Sequence, residues 1–314
     1  MKNSNKKIVI TGGAGLVGQN LIARLFDANF KKIIAIDKHR SNLDKLKKHQ
    51  PEVEIYCADL SESGQWTSLL RGADCIIILH AQIGGLDLNE FTKNNIISTK
   101  LVLKFTKQYK IKRVIHISSS VINSSSNDYY TNTKREQESL VQKARFNSII
   151  LRPTLMFGWF DRKHLGWLHR FMDKFYLFPI PGLGKYIRQP LYVGDLCSII
   201  IKSIKNDSLV GVYNISGLEK IYYINIINEI KKYVSHGVMI IYVPYALFYL
   251  MLKLWEFFDG DPPFTTQQLQ ALINGDEFEG IDWPKVFNIK ATSFKSAISE
   301  TFTNPKHSTL ILDF

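Results

Sequence analysis

Apolar residues in the first half of the chain fall into two rhythms. Short β-branched runs at Lys7–Thr11, Lys32–Asp37, Val53–Cys57, Asp74–His80, Val114–Ser118 and Ser148–Arg152 read as strands. Between them, apolar residues recur every three or four positions at Leu16–Phe26, Leu43–Lys48 and Asn94–Tyr109, the spacing of helices with one buried face. Strands that alternate with helices predict a parallel sheet, because parallel neighbours need a crossover connection between them.

After Pro153 the rhythm breaks. Phe157–Pro190 is rich in Gly, Pro and aromatics and reads as loops around a helix. Val193–Ile204 then reads as a helix, Val212–Ile215 as a strand and Ile221–Tyr233 as a helix. The expected division is a sheet domain over 1–155, to which 190–215 returns, and a smaller lobe from 156–189 and 216–314. Val238–Phe258 is the most apolar stretch. Pro244 interrupts it, and Lys253 and Glu256 fall in its helical half, so it is too short and too polar to span a bilayer. It reads as a core or oligomer-facing helix in an expected homodimer, or as an interfacial helix making peripheral membrane contact, helped by the basic charge.

Composition narrows the classes. With 45% hydrophobic and 22% charged residues in 314, the chain can bury a large core. The net charge of +12 would suit an anionic partner. Its lysines are scattered through Lys2–Lys7, Lys31–Lys48 and Lys104–Lys112 rather than interleaved with aromatics in one stripe, which argues against nucleic acid. Three cysteines, Cys57, Cys75 and Cys197, lack the spacing of a zinc site or a disulfide framework and are expected as buried thiols. No apolar leader precedes the first strand, so the expected address is cytoplasmic.

The chemistry begins at Thr11-Gly12-Gly13-Ala14-Gly15-Leu16-Val17-Gly18, between a predicted strand and helix. Gly12, Gly15 and Gly18 permit a tight turn, a close approach to a pyrophosphate and tight helix packing, and the helix N-terminus offers N–H donors. Asp37 ends the second strand, 19 residues past Gly18, near the spacing at which an acid meets the adenosine ribose. NAD is therefore the expected cofactor, with NADP the alternative if Lys38, His39 and Arg40 take a 2′-phosphate. Asp59 reads equally as an adenine contact or as a cap of the following turn.

These elements resemble the extended short-chain dehydrogenase/reductase superfamily and, within it, the NAD-dependent epimerase/dehydratase family that modifies nucleotide sugars. The resemblance rests on the glycine turn, Asp37, Asp59-Leu60, Asn95 with Thr99, Ile117-Ser118-Ser119-Ser120, Tyr130-Thr131-Asn132-Thr133-Lys134, Leu151-Arg152-Pro153 and Arg188-Gln189-Pro190-Leu191-Tyr192-Val193-Gly194-Asp195. It implies a Rossmann-type doubly wound sheet with an interleaved substrate lobe. It implies Tyr130 as acid/base, Lys134 on the nicotinamide ribose, Ser119 on the substrate oxygen and Arg188 on a substrate pyrophosphate. Leu16, Val17, Leu60, Ala81 and Pro153 join the implied cofactor contacts; no metal is implied. Tyr130 and Lys134, four apart, share one face of a helix, where an ammonium would favour the phenolate.

The chain departs from this pattern between Ser119 and Tyr130, only 11 residues apart, with Val121-Ile122-Asn123 in place of Val-Tyr-Gly. A shortened loop is expected to leave that side of the pocket more open. His80 is expected to pack rather than catalyse, and Asn95 to cap a helix or hold a relay water. The leading expectation is an enzyme acting on a sugar hydroxyl, C4 of a nucleotide-linked hexose, as a 4-epimerase or 4-ketoreductase. A 4,6-dehydratase ranks lower because no Asp-Glu pair follows Ser119. The competing expectations are a dinucleotide-binding assembly or sensor protein without turnover, and a reductase of a lipid-linked substrate.

Overall fold

The computed structural model describes residues 5–258, 264–274 and 279–313, apart from the side chains of 267, 268, 271 and 274. Seven strands form the main sheet: β1 (Lys7–Thr11), β2 (Lys32–Asp37), β3 (Glu54–Cys57), β4 (Cys75–Ile78), β5 (Arg113–Ile117), β6 (Asn147–Pro153) and β7 (Gly211–Ile215). Their order is β7-β6-β5-β4-β1-β2-β3 and every neighbouring pair is parallel. This is the doubly wound α/β sheet expected from the alternation of periods.

The β-branched runs form strands because both of their faces are covered. Ile8, Val9 and Ile10 of β1 are fully buried, each gaining about 1.5–3 kcal/mol relative to exposure. Successive side chains point to opposite faces. Ile8, Ile10, Ile33, Ala35, Ile77 and Ile115 pack under helices α1 (Leu16–Asp27), α2 (Arg40–His49) and, further along the sheet, Val193–Lys205. Val9, Ile34, Ile36, Ile76, Ile78 and Val114 pack against the helices Ser98–Gln108 and Tyr129–Lys143. The switch in strand order between β1 and β4 opens a crevice at the carboxyl ends of the strands, where such sheets bind ligands.

Several predicted elements change at their ends. The helix expected over Asn94–Tyr109 is a π-helical stretch at Thr92–Ile97 followed by α3 (Ser98–Gln108). Such wide turns recur at functional sites. Ile221–Tyr233, expected as one helix, begins as a two-residue strand, Ile221–Tyr222, antiparallel to Ile187–Arg188. Its helix starts at Tyr223 because the loop carbonyls of Tyr186 and Gly184 take the first N–H groups, of Tyr223 and Ile224. Pro244 divides the apolar stretch into the strand Met239–Val243, parallel to Leu177–Pro181, and the helix Tyr245–Phe258. Among the cysteines, Cys75 and Cys197 are buried, but Cys57 is exposed because β3 is an edge strand.

Candidate active site

The glycine turn is fixed by β2. The Ile36 carbonyl accepts the Gly12 N–H at 2.8 Å and the Gly13 N–H at 3.3 Å, and the Asp37 carboxylate accepts the Ala14 N–H at 3.0 Å. Gly12 has φ +70°, and a Cβ there would lie 2.6 Å from the His80 backbone nitrogen. A Cβ on Gly18 would lie 2.4 Å from the Gly13 carbonyl oxygen. The fold therefore demands both glycines. Gly15 is different: its backbone is extended, and a Cβ would meet only the Gly12 carbonyl oxygen at 3.5 Å. Nothing in the protein requires glycine there, and α1 begins with no side-chain cap on its first N–H groups. An open Gly15 beside uncapped N–H donors fits an anionic group lying against the turn, as a dinucleotide pyrophosphate would.

Asp37 is buried at the end of β2, its second oxygen accepting the His39 N–H at 3.0 Å. Of the three basic residues that follow, Arg40 pairs with Asp44 at 3.0 Å and Lys38 with Asn94 Oδ1 at 3.1 Å, while the His39 ring nitrogen Nδ1 lies 3.1 Å from Asp37 Oδ1 itself. A 2′-phosphate would meet the Asp37 carboxylate without the help of Lys38 or Arg40. NAD is expected to bind at least roughly tenfold more tightly than NADP, the scale of one charge-assisted contact. Calorimetric titration with both checks this, and tighter NADP binding would move the role to Arg40.

Asp59 accepts from the Ser61 N–H at 2.9 Å and hydroxyl at 2.6 Å and pairs with Lys93 at 3.0 Å. Burial raises its pKa, but these partners together hold the carboxyl below its usual range. Asp59 thus caps its own turn, and its second oxygen faces Lys93. Leu60 is buried with Val9 and Ile34. Ala81 follows His80 at the end of the β4 segment, and Pro153 ends β6. Ser118 and Thr154, just beyond the carboxyl ends of β5 and β6, carry buried hydroxyl oxygens without a hydrogen-bond partner. Orphaned groups at that edge of the sheet suit a polar ligand such as a nicotinamide carboxamide.

The reactive groups sit on two adjoining elements. Ser119 leaves β5 and caps a 3-10 turn, Ser120–Asn123. Helix α4 (Tyr129–Lys143) starts at Asp128, whose carboxylate accepts the Thr131 N–H at 2.8 Å. Its first turn carries Tyr130 next to Ser119. Burial pushes the Tyr130 pKa up, and Ser119 works against that rise. Lys134 is 1% exposed and donates to the Ile117 carbonyl at 3.1 Å and to Gln137 Oε1. Burial lowers its pKa to about 7, with Glu138 opposing. The Lys134 ammonium is thus turned to Ile117 and Gln137.

Sequence reasoning missed the groups that support this trio. Gln137 lies seven past Tyr130, hence on the same helix face, and donates to Thr99 Oγ1 at 2.9 Å and to the His80 carbonyl at 3.2 Å. His80 bridges Thr11 Oγ1 at 2.8 Å and Thr99 Oγ1 at 3.0 Å, and burial lowers its pKa to about 3. Packing as a neutral bridge is therefore its role. Asn95 lies inside the Thr92–Ile97 stretch rather than at a helix start, so it is not a cap. Its amide accepts from the Gln82 N–H at 2.6 Å and donates to the Gln82 carbonyl at 3.2 Å and to Thr133 at 2.9 Å, tying the loop after β4 to α4. Arg135 donates to the carbonyls of Ile122 and Ser126, each at 3.1 Å, and to that of Ser124. One guanidinium thereby pins the short loop onto α4.

Arg188 lines a cavity of about 390 Å³ with Lys163, His164 and an apolar wall that includes Phe171, Phe178 and Leu252. Ser119, Tyr130 and Lys134 do not line that cavity.

Comparison with known proteins bears on the fold and the family. The chain is 28% identical over 252 residues to the dTDP-D-glucose 4,6-dehydratase of Dictyostelium discoideum, covering 67% of the chain and 58% of that protein. It is 26% identical over 212 residues to NADH dehydrogenase [ubiquinone] 1 alpha subcomplex subunit 9, mitochondrial, of Arabidopsis thaliana, covering 64% of the chain and 50% of that protein. The chain thus spans little more than half the length of these two relatives. The fold matches the crystal structure of UDP-N-acetylglucosamine 4-epimerase from Bacillus cereus with a TM-score of 0.73 at 15% identity, over 96% of this chain and 97% of that one. Residues 8–216 match the model of the NAD dependent epimerase/dehydratase family. With its glycine turn, parallel sheet and Ser119–Tyr130–Lys134 grouping inside that span, the chain belongs to the NAD dependent epimerase/dehydratase family.

Proposed function

We propose that the protein is an NAD-dependent oxidoreductase acting on a sugar hydroxyl, C4 of a hexose linked to a diphosphate, as a 4-epimerase or 4-ketoreductase. The observation that carries this reading is the meeting of Ser119 and Tyr130 at the carboxyl end of β5, with Lys134, one helical turn on from Tyr130, buried against the Ile117 carbonyl. The residues that would hold the dinucleotide are Gly12 to Gly18, Asp37 and Lys134. A bound nicotinamide would supply the hydride acceptor and donor. Tyr130 accepts the hydroxyl proton as the sugar carbon is oxidised and returns one when the carbonyl is reduced. Ser119 holds the same substrate oxygen and steadies the phenolate. The buried Gln137-Thr99-His80 bridge fixes Lys134, whose ammonium is shared between its present partners and a ribose hydroxyl.

The carrier of the hexose in the relatives' names is a nucleoside diphosphate, and Arg188 is the group suited to its pyrophosphate. Arg188→Ala is expected to weaken a sugar diphosphate by about 1.5–3 kcal/mol, roughly tenfold or more, and to leave NAD affinity unchanged. Equal loss for every ligand together with a lowered melting temperature would make Arg188 a lobe-bridging residue instead. The reading as a whole is tested by adding hexoses linked to UDP, dTDP or a lipid diphosphate to the NAD complex and following reduced nicotinamide. The match to a respiratory-complex subunit favours a second reading, dinucleotide binding without turnover. On that reading NAD binds and no hexose reduces it.

A further inference from the structure

The helix Tyr245–Phe258 is apolar on two faces that do different things. Phe248, Leu252 and Trp255, spaced four and three apart, line the cavity that holds Arg188. Leu247, Leu250, Met251 and Leu254 form a neighbouring stripe, about a third of a turn round the helix, and are 51–54% exposed. Met239 and Leu177, paired across the two strands that precede the helix, are 66% and 50% exposed. An exposed apolar stripe along a whole helix marks an interaction surface.

Charge selects the occupant. The helix has two charged residues. Glu256 is turned back to accept the Thr266 N–H at 2.6 Å and the Thr266 hydroxyl. Lys253 is exposed, its Nζ 5.9 Å from the Tyr249 ring, and Lys174, three residues before Leu177, has its Nζ 5.4 Å from the Phe175 ring, while its neighbour Asp173 is taken up by Ser235. An apolar stripe bordered by lysines and by tyrosines, on a chain of net charge +12, matches an anionic lipid surface. The helix cannot cross a bilayer: its 14 residues reach roughly 21 Å, short of the roughly 30 Å hydrocarbon core. A second copy of the chain would bring the same lysines to the same patch and would leave the apolar cavity behind the helix unfilled.

The geometry points to a protein that docks on an anionic membrane with the outer face of Tyr245–Phe258 in the headgroup layer, and whose cavity behind that helix takes the apolar chain of a lipid diphosphate held at Arg188. The carrier of the hexose is then a lipid rather than a nucleoside. This part rests on the proposed function, whereas the docking does not, so each can fail alone. The cavity wall supports the choice, because Phe171, Phe178, Phe248, Leu252 and Trp255 suit an isoprenoid or acyl chain better than the hydrogen-bonding edges of a base.

The test is co-sedimentation of the full chain with vesicles of phosphatidylglycerol and phosphatidylcholine, against pure phosphatidylcholine. Wild type is expected to bind the anionic vesicles roughly tenfold or more tightly, less so as salt rises. Leu250→Glu with Leu254→Glu is expected to lower that binding at least roughly tenfold with melting temperature and NAD affinity unchanged, since both side chains point outward. Absence of vesicle binding, or binding that the double variant leaves intact, would overturn the docking. So would a dimer in analytical ultracentrifugation that the double variant dissociates. For the carrier, farnesyl diphosphate is expected to bind at least roughly tenfold more tightly than inorganic pyrophosphate or UDP. Equal affinities would overturn that assignment and leave the hydride chemistry untouched.

Discussion

Tyr130→Phe is expected to lower hydride transfer by roughly 10²-fold or more, the ordinary contribution of a positioned acid/base, with folding and NAD affinity nearly unchanged. The substitution removes one oxygen, so the packing of α4 on β5 survives. Single-turnover absorbance of reduced nicotinamide, with melting temperature and calorimetric NAD affinity beside it, checks all three. The pH dependence has a definite sign. Burial raises the Tyr130 pKa above its ordinary value of 10, so near neutrality the group is a phenol, the form that donates to a carbonyl. Reduction is therefore expected to proceed at neutral pH and to slow only as pH rises through that raised pKa. Oxidation, which needs the phenolate, is expected to quicken over the same rise. Equal rates in wild type and variant would remove Tyr130 from the chemistry and favour the reading without turnover.

Gly15→Val is expected to weaken dinucleotide binding by roughly 10²-fold or more while leaving the melting temperature unchanged. The extended backbone of Gly15 suits any residue, and the space around its Cβ direction is open toward the ligand side. A branched side chain would displace the pyrophosphate from the N–H groups of α1, each charge-assisted bond worth about 1.5–3 kcal/mol. Gly12→Val is the contrast. There φ is +70° and the His80 backbone lies 2.6 Å from the new carbon, so the melting temperature itself should fall, by the several degrees that about 1–3 kcal/mol of strain implies. Differential scanning fluorimetry and calorimetry on the two variants separate a ligand-driven glycine from a fold-driven one. If Gly15→Val destabilises the free protein as much as Gly12→Val does, the turn is a structural feature and not a cofactor cradle.

The sheet was legible because its strands are buried on both faces and its helices on one, which imposes two different periods on the sequence. Ile8 to Ile10 and Ile76 to Ile78 could not be mistaken for amphipathic helix. What escaped was set by contacts between distant residues. The π-helical stretch before Ser98 brings Asn95 to Gln82, and nothing local in Thr92 to Ile97 announces it. The start of the helix at Tyr223 depends on two loop carbonyls nearly forty residues upstream. At the site, Tyr130 and Lys134 could be paired from their spacing alone, and Gln137 could have been added by the same rule. The orientation of Lys134 could not, because it follows from Gln137 being itself held by Thr99. Arg135 carries no signal in the sequence. Its partners are backbone carbonyls, which carry no side-chain signature. Arg188 was read as a pyrophosphate ligand from its place before Leu191, yet the apolar wall around it comes from segments scattered between Leu155 and Leu272, whose meeting only the folded lobe reveals.

The central claim, hydride transfer at a sugar attached to a diphosphate, is tested most directly by rapid mixing of the NAD complex with hexoses carried on UDP, dTDP or a lipid diphosphate, following the near-ultraviolet band of reduced nicotinamide. The account predicts that at least one carrier produces that band in wild type and that Tyr130→Phe suppresses it by roughly 10²-fold. NAD that binds tightly and is reduced by none of them would contradict it.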